Sequence, residues 1–218
     1  MNELNGGYYD EKYFDWQRKI GEFGGKANLF KFEPYISGEE DILDFGCGGG
    51  YLLKNIITTG TKMGVEINPA AAQIATQNGV EKVYSSIYEV PDNAVDVVIS
   101  NHVLEHVDNP VEIMREIKRV LRVGGSLIVV VPHETRDEVN EKDINMHLYT
   151  WSPQNLVNMF KKCGFDVKRY GSIKHCWMDN YMQIQKLFGW AGFHRLCKLY
   201  SRVRRKGFQT YCSGVRVE

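Results

Sequence analysis

Short apolar runs alternate with segments of helical spacing along the middle of this chain. Residues 41–45, 62–67, 81–85, 95–100 and 126–131 read as strands, and 50–58, 69–78, 109–122 and 152–163 as helices. The run Val95-Asp-Val-Val-Ile-Ser is almost continuously apolar, as expected of a strand in a parallel sheet covered on both faces. In 109–122, Val111, Met114, Ile117, Val120 and Leu121 recur at spacings of three and four, one stripe of a helix, and Gly124-Gly125 ends it. Asn68-Pro69 and Ser152-Pro153 suit helix starts, a capping side chain followed by a proline that needs no amide partner in the first turn. This βαβα alternation predicts a doubly wound α/β sheet. Residues 8–36 hold many Tyr, Phe and Trp with little alternation and predict one or two helices ahead of the sheet.

Composition narrows the class. With 218 residues and 43% apolar content, the chain can bury one substantial core. No run approaches the ~20 apolar residues of a membrane span, and Met1-Asn-Glu-Leu-Asn-Gly-Gly lacks the basic and apolar regions of a secretory signal. Five scattered cysteines with no C-x-x-C pair indicate neither a disulfide framework nor a zinc site, and a reducing cytoplasm is expected. The zero net charge hides an asymmetry. Beyond Gly171 there are nine Lys and Arg against Asp179 and Glu218, a net of +7, and the preceding residues carry −7. A basic end calls for an anionic partner.

The chemistry starts at Ile42-Leu-Asp-Phe-Gly-Cys-Gly-Gly-Gly: an apolar strand, an acid, then four glycines in five residues. Glycine lets a ligand approach bare backbone and permits the positive φ of a tight turn, and the helix that follows points its first amides at the same place. The dinucleotide fingerprint G-x-G-x-x-G fails here, because its third glycine falls on Tyr51. The spacing is instead Gly46, Gly48, Gly50, with Asp44 before the turn and Glu66 ending the next strand. An acid there can accept two hydrogen bonds from a ribose diol.

On these residues the chain resembles the class I S-adenosylmethionine-dependent methyltransferases of the small-molecule type. Val95-Asp-Val-Val-Ile-Ser-Asn-His-Val-Leu-Glu-His-Val, Leu121-Arg-Val-Gly-Gly-Ser-Leu-Ile-Val-Val-Val-Pro, His147-Leu-Tyr-Thr-Trp-Ser-Pro and Lys162-Cys-Gly-Phe-Asp-Val extend the likeness in order over about residues 40 to 173. The resemblance implies a mostly parallel seven-stranded sheet with helices on both faces and an antiparallel last strand. Residues 166–173 and 208–217 fit its closing antiparallel pair. One domain is expected: an aromatic cap at 1–38, a cofactor-binding core at 39–175, and a basic helical insertion at 176–207. S-adenosylmethionine is the implied cofactor and S-adenosylhomocysteine its product. Gly46, Cys47, Gly48 and Gly50 would pass the cofactor's amino-acid part, with Asp44 near its ammonium. Glu66 would hold the ribose and Ile67 would lie against the adenine. Ser86, followed by Ile87, stands where the family usually carries an acid near the adenine, and Asn101 would lie on the sulfonium side.

The acceptor is less legible. A small molecule or saccharide methylated on oxygen is expected. Nucleic acid is disfavoured because Ser100-Asn-His-Val is not an Asn/Asp-Pro-Pro-aromatic clamp, although the basic end keeps RNA open. An inactive relative that only binds is disfavoured because Asp44, the glycines and Glu66 are all present. Imidazole titrates near neutrality, so His133, directly after the fifth strand, and His147, at the end of a long polar loop, are the candidate bases; His102 and His106 rank behind them. Tyr8, Tyr9, Tyr13, Phe14 and Trp16 have two readings, an aromatic lid over the crevice or packing against the sheet. The acids of 134–143 show no ligand spacing, so a solvated loop and no metal are expected. The basic stretch 178–206 has three readings: a lid over an anionic acceptor, a peripheral membrane contact, or a dimer contact in a monomer-or-homodimer protein.

Overall fold

The computed structural model describes residues 11–134, 143 and 145–218, with the side chains of 11–19 left aside. Helix α1 (Glu11–Asn28) leads through two 3-10 turns to β1 (Ile42–Phe45). Then come α2 (Tyr51–Asn55), β2 (Lys62–Val65), α3 (Pro69–Gln77), β3 (Lys82–Tyr84) and β4 (Val95–Asn101). The chain continues through α4 (Pro110–Val120), β5 (Leu121–Pro132), α5 (Pro153–Lys162), β6 (Phe165–Lys174), α6 (Tyr181–Arg204) and β7 (Phe208–Arg216).

The seven strands lie in the order β3-β2-β1-β4-β5-β7-β6, and β7 alone runs antiparallel to its neighbours. The period-2 alternation of side chains divides the core into two layers. Leu43, Phe45, Val98, Leu127, Val129 and Val131 point to the face covered by α4 and α5. Ile42, Val97, Ile99, Ile128 and Val130 point to the other, against Phe32, Leu53 and Ala75. Helix starts follow the sequence: Asn68 Oδ1 accepts from the amides of Ala70 and Ala71, and Ser152 Oγ from that of Asn155.

Three elements differ from the expected boundaries. Helix α2 stops at Asn55, because Ile56 turns extended to bury its side chain, and the β-branched run Ile57-Thr58-Thr59 has little helical preference to resist. Strand β5 begins at Leu121, not 126, and Gly124 absorbs an irregularity at φ +84°. Helix α6 runs across most of the basic stretch with one break at Gly189 (φ +63°). Its inner side chains, Trp190, Phe193 and Cys197, pack on Phe23 and Ala27 of α1. The two helices thus meet at one aromatic seam, with Phe23 and Phe193 edge-to-face at 5.3 Å.

Strand order reverses between β1 and β4, whose residues pair Asp44 with Ile99. The carboxyl ends of these neighbours form the switch point at which open α/β sheets hold ligands.

Candidate functional site

Two cavities meet at that switch point. The first, about 210 Å³, is bounded by Asp44 and the 46–49 turn, by Tyr51 and Leu52, and by Ile20, Gly21, Gly24, Gly25 and Asn28 of α1. The second, about 290 Å³, is bounded by Asn28, Lys31, His102, His175, Cys176, Gly207 and Gln209. Asn28, Asn101 and Trp177 belong to both.

The turn after β1 needs its glycines. Gly46, Gly48 and Gly50 all have positive φ (81°, 52° and 71°). A Cβ on Gly46 would fall 2.3 Å from Val103 Cγ2, and one on Gly50 would fall 2.9 Å from Ala75 Cα. Gly46 and Cys47 both donate to the Val65 carbonyl, which ties the turn to β2. Cys47 fills the core against Gly64, and burial together with Asp44 and Glu66 raises its thiol pKa, so it is packing rather than a nucleophile.

Asp44 shares its pleat face with Ile42 and is only 3% exposed. Burial, aided by the neighbouring Glu66 carboxylate, pushes its pKa up to about 7. A carboxylate so desolvated favours a cationic ligand. Glu66 is also raised by burial, but its oxygens accept from the amides of Gly48 (2.9 Å) and Asn68 (2.8 Å), which hold it in place beside the turn. Two acids and a floor of glycine backbone without side chains fit a ligand that joins an ammonium to a diol. Ile67, next along, is 61% exposed and offers an apolar surface for a flat ring. Ser86 accepts from the Tyr88 amide and starts a 3-10 turn, while Ile87 is buried in the core and presents no side chain to the crevice.

The predicted bases go elsewhere. His133 Nδ1 lies 2.8 Å from the Trp151 carbonyl oxygen, and His147 lies against His106 and Glu134; neither lines either of these two cavities. Tyr8 and Tyr9, and the side chains of Tyr13, Phe14 and Trp16, lie outside the described residues, as does 135–142 of the acidic loop.

Of the residues that line the second cavity, sequence reasoning named Asn101 and His102 and missed the others. Lys31 is only 7% exposed, and its Nζ donates to Asn101 Oδ1 at 3.0 Å. Burial lowers its pKa to about 7, opposed in part by Glu105. His175 Nε2 lies 3.0 Å from His194 Nδ1, and burial, then His194, lowers the His175 pKa to about 3, so it stays neutral. Gln209 Oε1 is buried without a hydrogen-bond partner. His102 takes a left-handed backbone (φ +60°), a strain of about 1 kcal/mol or more for a non-glycine residue. Some of this had a signal. A lysine between Phe30 and Phe32 cannot keep its whole length in water. Glycines at 21, 24 and 25 of a helix cost about 1 kcal/mol each relative to alanine and mark a close approach. Here a Cβ on Gly25 would fall 2.2 Å from the Tyr51 carbonyl oxygen.

Comparisons with known proteins agree with this arrangement. The family model described as a methyltransferase domain matches residues 43–129. The tRNA U34 carboxymethyltransferase of Tolumonas auensis is 30% identical over 160 residues, which is 61% of this chain and 47% of that enzyme, so the chain spans about half of that relative's length. The ubiquinone biosynthesis O-methyltransferase of Aeromonas salmonicida is 27% identical over 169 residues, 66% of this chain and 71% of that one. A chain of the Haloferax volcanii complex between the Trm112 methyltransferase activator and a methyltransferase superposes with a TM-score of 0.68 at 19% identity, covering 100% of this chain and 99% of its own, a likeness of fold. With the glycine turn and Asp44 at the switch point of this sheet and Glu66 held beside the turn, residues 43–129 are similar to the methyltransferase-domain family, and the whole chain shares the fold of solved S-adenosylmethionine-dependent methyltransferases.

Proposed function

We propose that this protein moves the methyl group of S-adenosylmethionine to an oxygen of a small polar acceptor, a small molecule or saccharide, held in the second cavity. The observation that carries this reading is the meeting of a donor cradle and a polar cavity of about 290 Å³ at Asn101 and Trp177.

Bound in the cradle, the cofactor supplies a methyl group on a sulfonium, whose transfer leaves a neutral thioether. The protein's own task is then alignment and, for a hydroxyl acceptor, removal of a proton. Asp44 and the glycine backbone of the 46–50 turn would hold the amino-acid end, Glu66 the ribose, and Ile67 the adenine. Lys31 suits the proton-accepting role better than His133 or His147, because it lines the cavity itself. Uncharged, its amine has one lone pair; the hydrogen bond to Asn101 engages an N–H and leaves that pair for the acceptor hydroxyl. Its depressed pKa leaves a large uncharged fraction near neutral pH. Trp177 offers a face to a sugar ring or planar acceptor, and Gln209 Oε1 an acceptor for a second hydroxyl. The exposed Lys198, Arg202, Arg204, Arg205 and Lys206 of the α6 end support contact with an anionic surface.

Donor turnover across sugars, phenols and tRNA tests the reading. Methyl incorporation into a small hydroxylated acceptor, lost in Lys31→Met while S-adenosylhomocysteine still binds, is expected. Incorporation into tRNA alone would overturn it.

A further inference from the structure

Behind His102 lies a cluster that methyl transfer as described above does not use. Glu105 follows β4 and is fully buried, yet neither of its carboxylate oxygens accepts a hydrogen bond. A buried carboxylate with no donor is among the costlier arrangements a protein can hold, and a positive partner is its usual remedy. Lys31 is near enough to feel its charge, but Lys31 Nζ donates to Asn101 instead.

What surrounds the carboxylate is imidazole. One ligand atom each from Glu105, His106 and His147 lie within 4.8 Å of one another. His106 Nε2 is 4.0 Å from Glu105 Oε1, and the His106 and His147 rings meet edge-to-face at 4.9 Å. His147 Nδ1 stands 3.2 Å from a Glu134 carboxylate oxygen, without a hydrogen bond between them. His102 Nδ1 is 3.4 Å from the same Glu105 oxygen, and His102 lines the second cavity. Glu105 and His106 are adjacent in sequence while His147 is about forty residues further on, which is why spacing along the chain does not show the set.

We propose that Glu105, His106 and His147 bind a divalent transition-metal ion of the zinc or manganese type behind His102, which separates the cluster from the second cavity. Two imidazoles and a carboxylate are donors these ions accept, and three protein ligands leave a position open for an oxygen. A hydroxylated acceptor is the ligand class that position fits, since a metal-bound hydroxyl loses its proton more readily. That last step rests on the acceptor reading above; the ion site itself does not.

Protein treated with a chelator and dialysed against zinc or manganese should retain one ion per chain by elemental analysis and melt several degrees higher, as binding to the folded state alone requires. His147→Ala should weaken ion binding more than tenfold, as should Glu105→Gln; His194→Ala should leave it unchanged. Because Glu105 is buried and its variant can fail to fold, His147→Ala carries the test, with S-adenosylhomocysteine titration as the check on folding. Retained cofactor binding with lost ion binding supports the site and separates it from the donor reading. Absence of stoichiometric ion uptake by the wild type, or uptake unchanged in His147→Ala, overturns it. Uptake lost in His194→Ala instead would place the ion on His175 and His194 and overturn it as well.

Discussion

The two cavities proposed as donor cradle and acceptor cavity share a wall at Asn28, Asn101 and Trp177, yet they are built in opposite ways. The floor of the cradle comes from residues 44–52, one strand end and the turn after it, with Glu66 added from the next strand. The acceptor cavity draws on 28–31, 101–102, 175–177 and 207–209, four segments that only the finished fold brings together. A cradle made of consecutive residues tolerates little change, since each glycine serves both the turn and the ligand. A cavity made of separate segments can change one wall at a time. In the proposed reading, the methyl donor belongs to the first and the acceptor's identity to the second.

Substitutions can break the contrast from either side. Lys31→Met touches the acceptor cavity alone and should lower turnover by about two to three orders of magnitude, the usual worth of a positioned base, with S-adenosylhomocysteine affinity within about twofold. Steady-state kinetics beside calorimetry separates the two quantities. Wild-type turnover should rise with pH through about 7, because only uncharged Lys31 accepts a proton. Glu105, His175, His194 and Lys198 are the charged or titratable groups coupled to it or to His175, and His175, with a pKa of about 3, stays neutral across that range. A profile flat from pH 6 to 8 would remove Lys31 from the proton-accepting role.

Gly25→Ala strikes the helix that roofs the cradle and adds a Cβ within 2.2 Å of the Tyr51 carbonyl oxygen. Overpacking of this kind costs about 1–3 kcal/mol, so cofactor affinity should fall about tenfold, and thermal melting should show a parallel loss. Gly24, where an added Cβ would only touch Trp177 at 3.5 Å, should accept alanine with little effect. The smallest expected change concerns neither cavity. Glu40 accepts from Ser37 Oγ and from the amides of Ser37, Gly38 and Glu39, which outweigh its burial and lower its pKa to about 2. A carboxylate with a folded pKa below its unfolded one stabilises the protein above about pH 4.5 and loses that contribution as pH falls toward about 2. Acid unfolding of Glu40→Gln should show less pH dependence in that window.

Local chemistry made the cradle readable. Asp44, Gly46, Gly48, Gly50 and Glu66 follow one another along a βα turn and the next strand, so a single pass along the chain finds them. The strand and helix order was readable for the same reason, and its errors fell at ends where tertiary burial overrode propensity, as at Ile56. His133 and His147 were chosen for their place after the fifth strand, but a position along the chain does not say which way a ring turns. His133 turns to the Trp151 carbonyl. Lys31 and Gln209 were invisible because their meaning depends on what packs over them, and nothing in Leu29-Phe-Lys-Phe tells that Asn101 lies opposite. Gly21, Gly24 and Gly25 were the legible signal passed over.

The central claim is that Asp44 is a desolvated carboxylate waiting for the ammonium of the cofactor. Calorimetric titration with S-adenosylhomocysteine, at pH 6 and pH 8 in buffers of different ionisation enthalpy, tests it most directly. The free carboxyl is largely protonated below about pH 7 and a cation favours its ionised form. Binding should therefore weaken at pH 6 and release a proton there, and Asp44→Asn should lose about ten- to a hundredfold in affinity with no proton release. The same variant should melt higher than wild type at pH 8, since it no longer buries an unpaired charge. Equal affinity at both pH values with no proton release, or an Asp44→Asn protein that binds as tightly as wild type, would contradict the account.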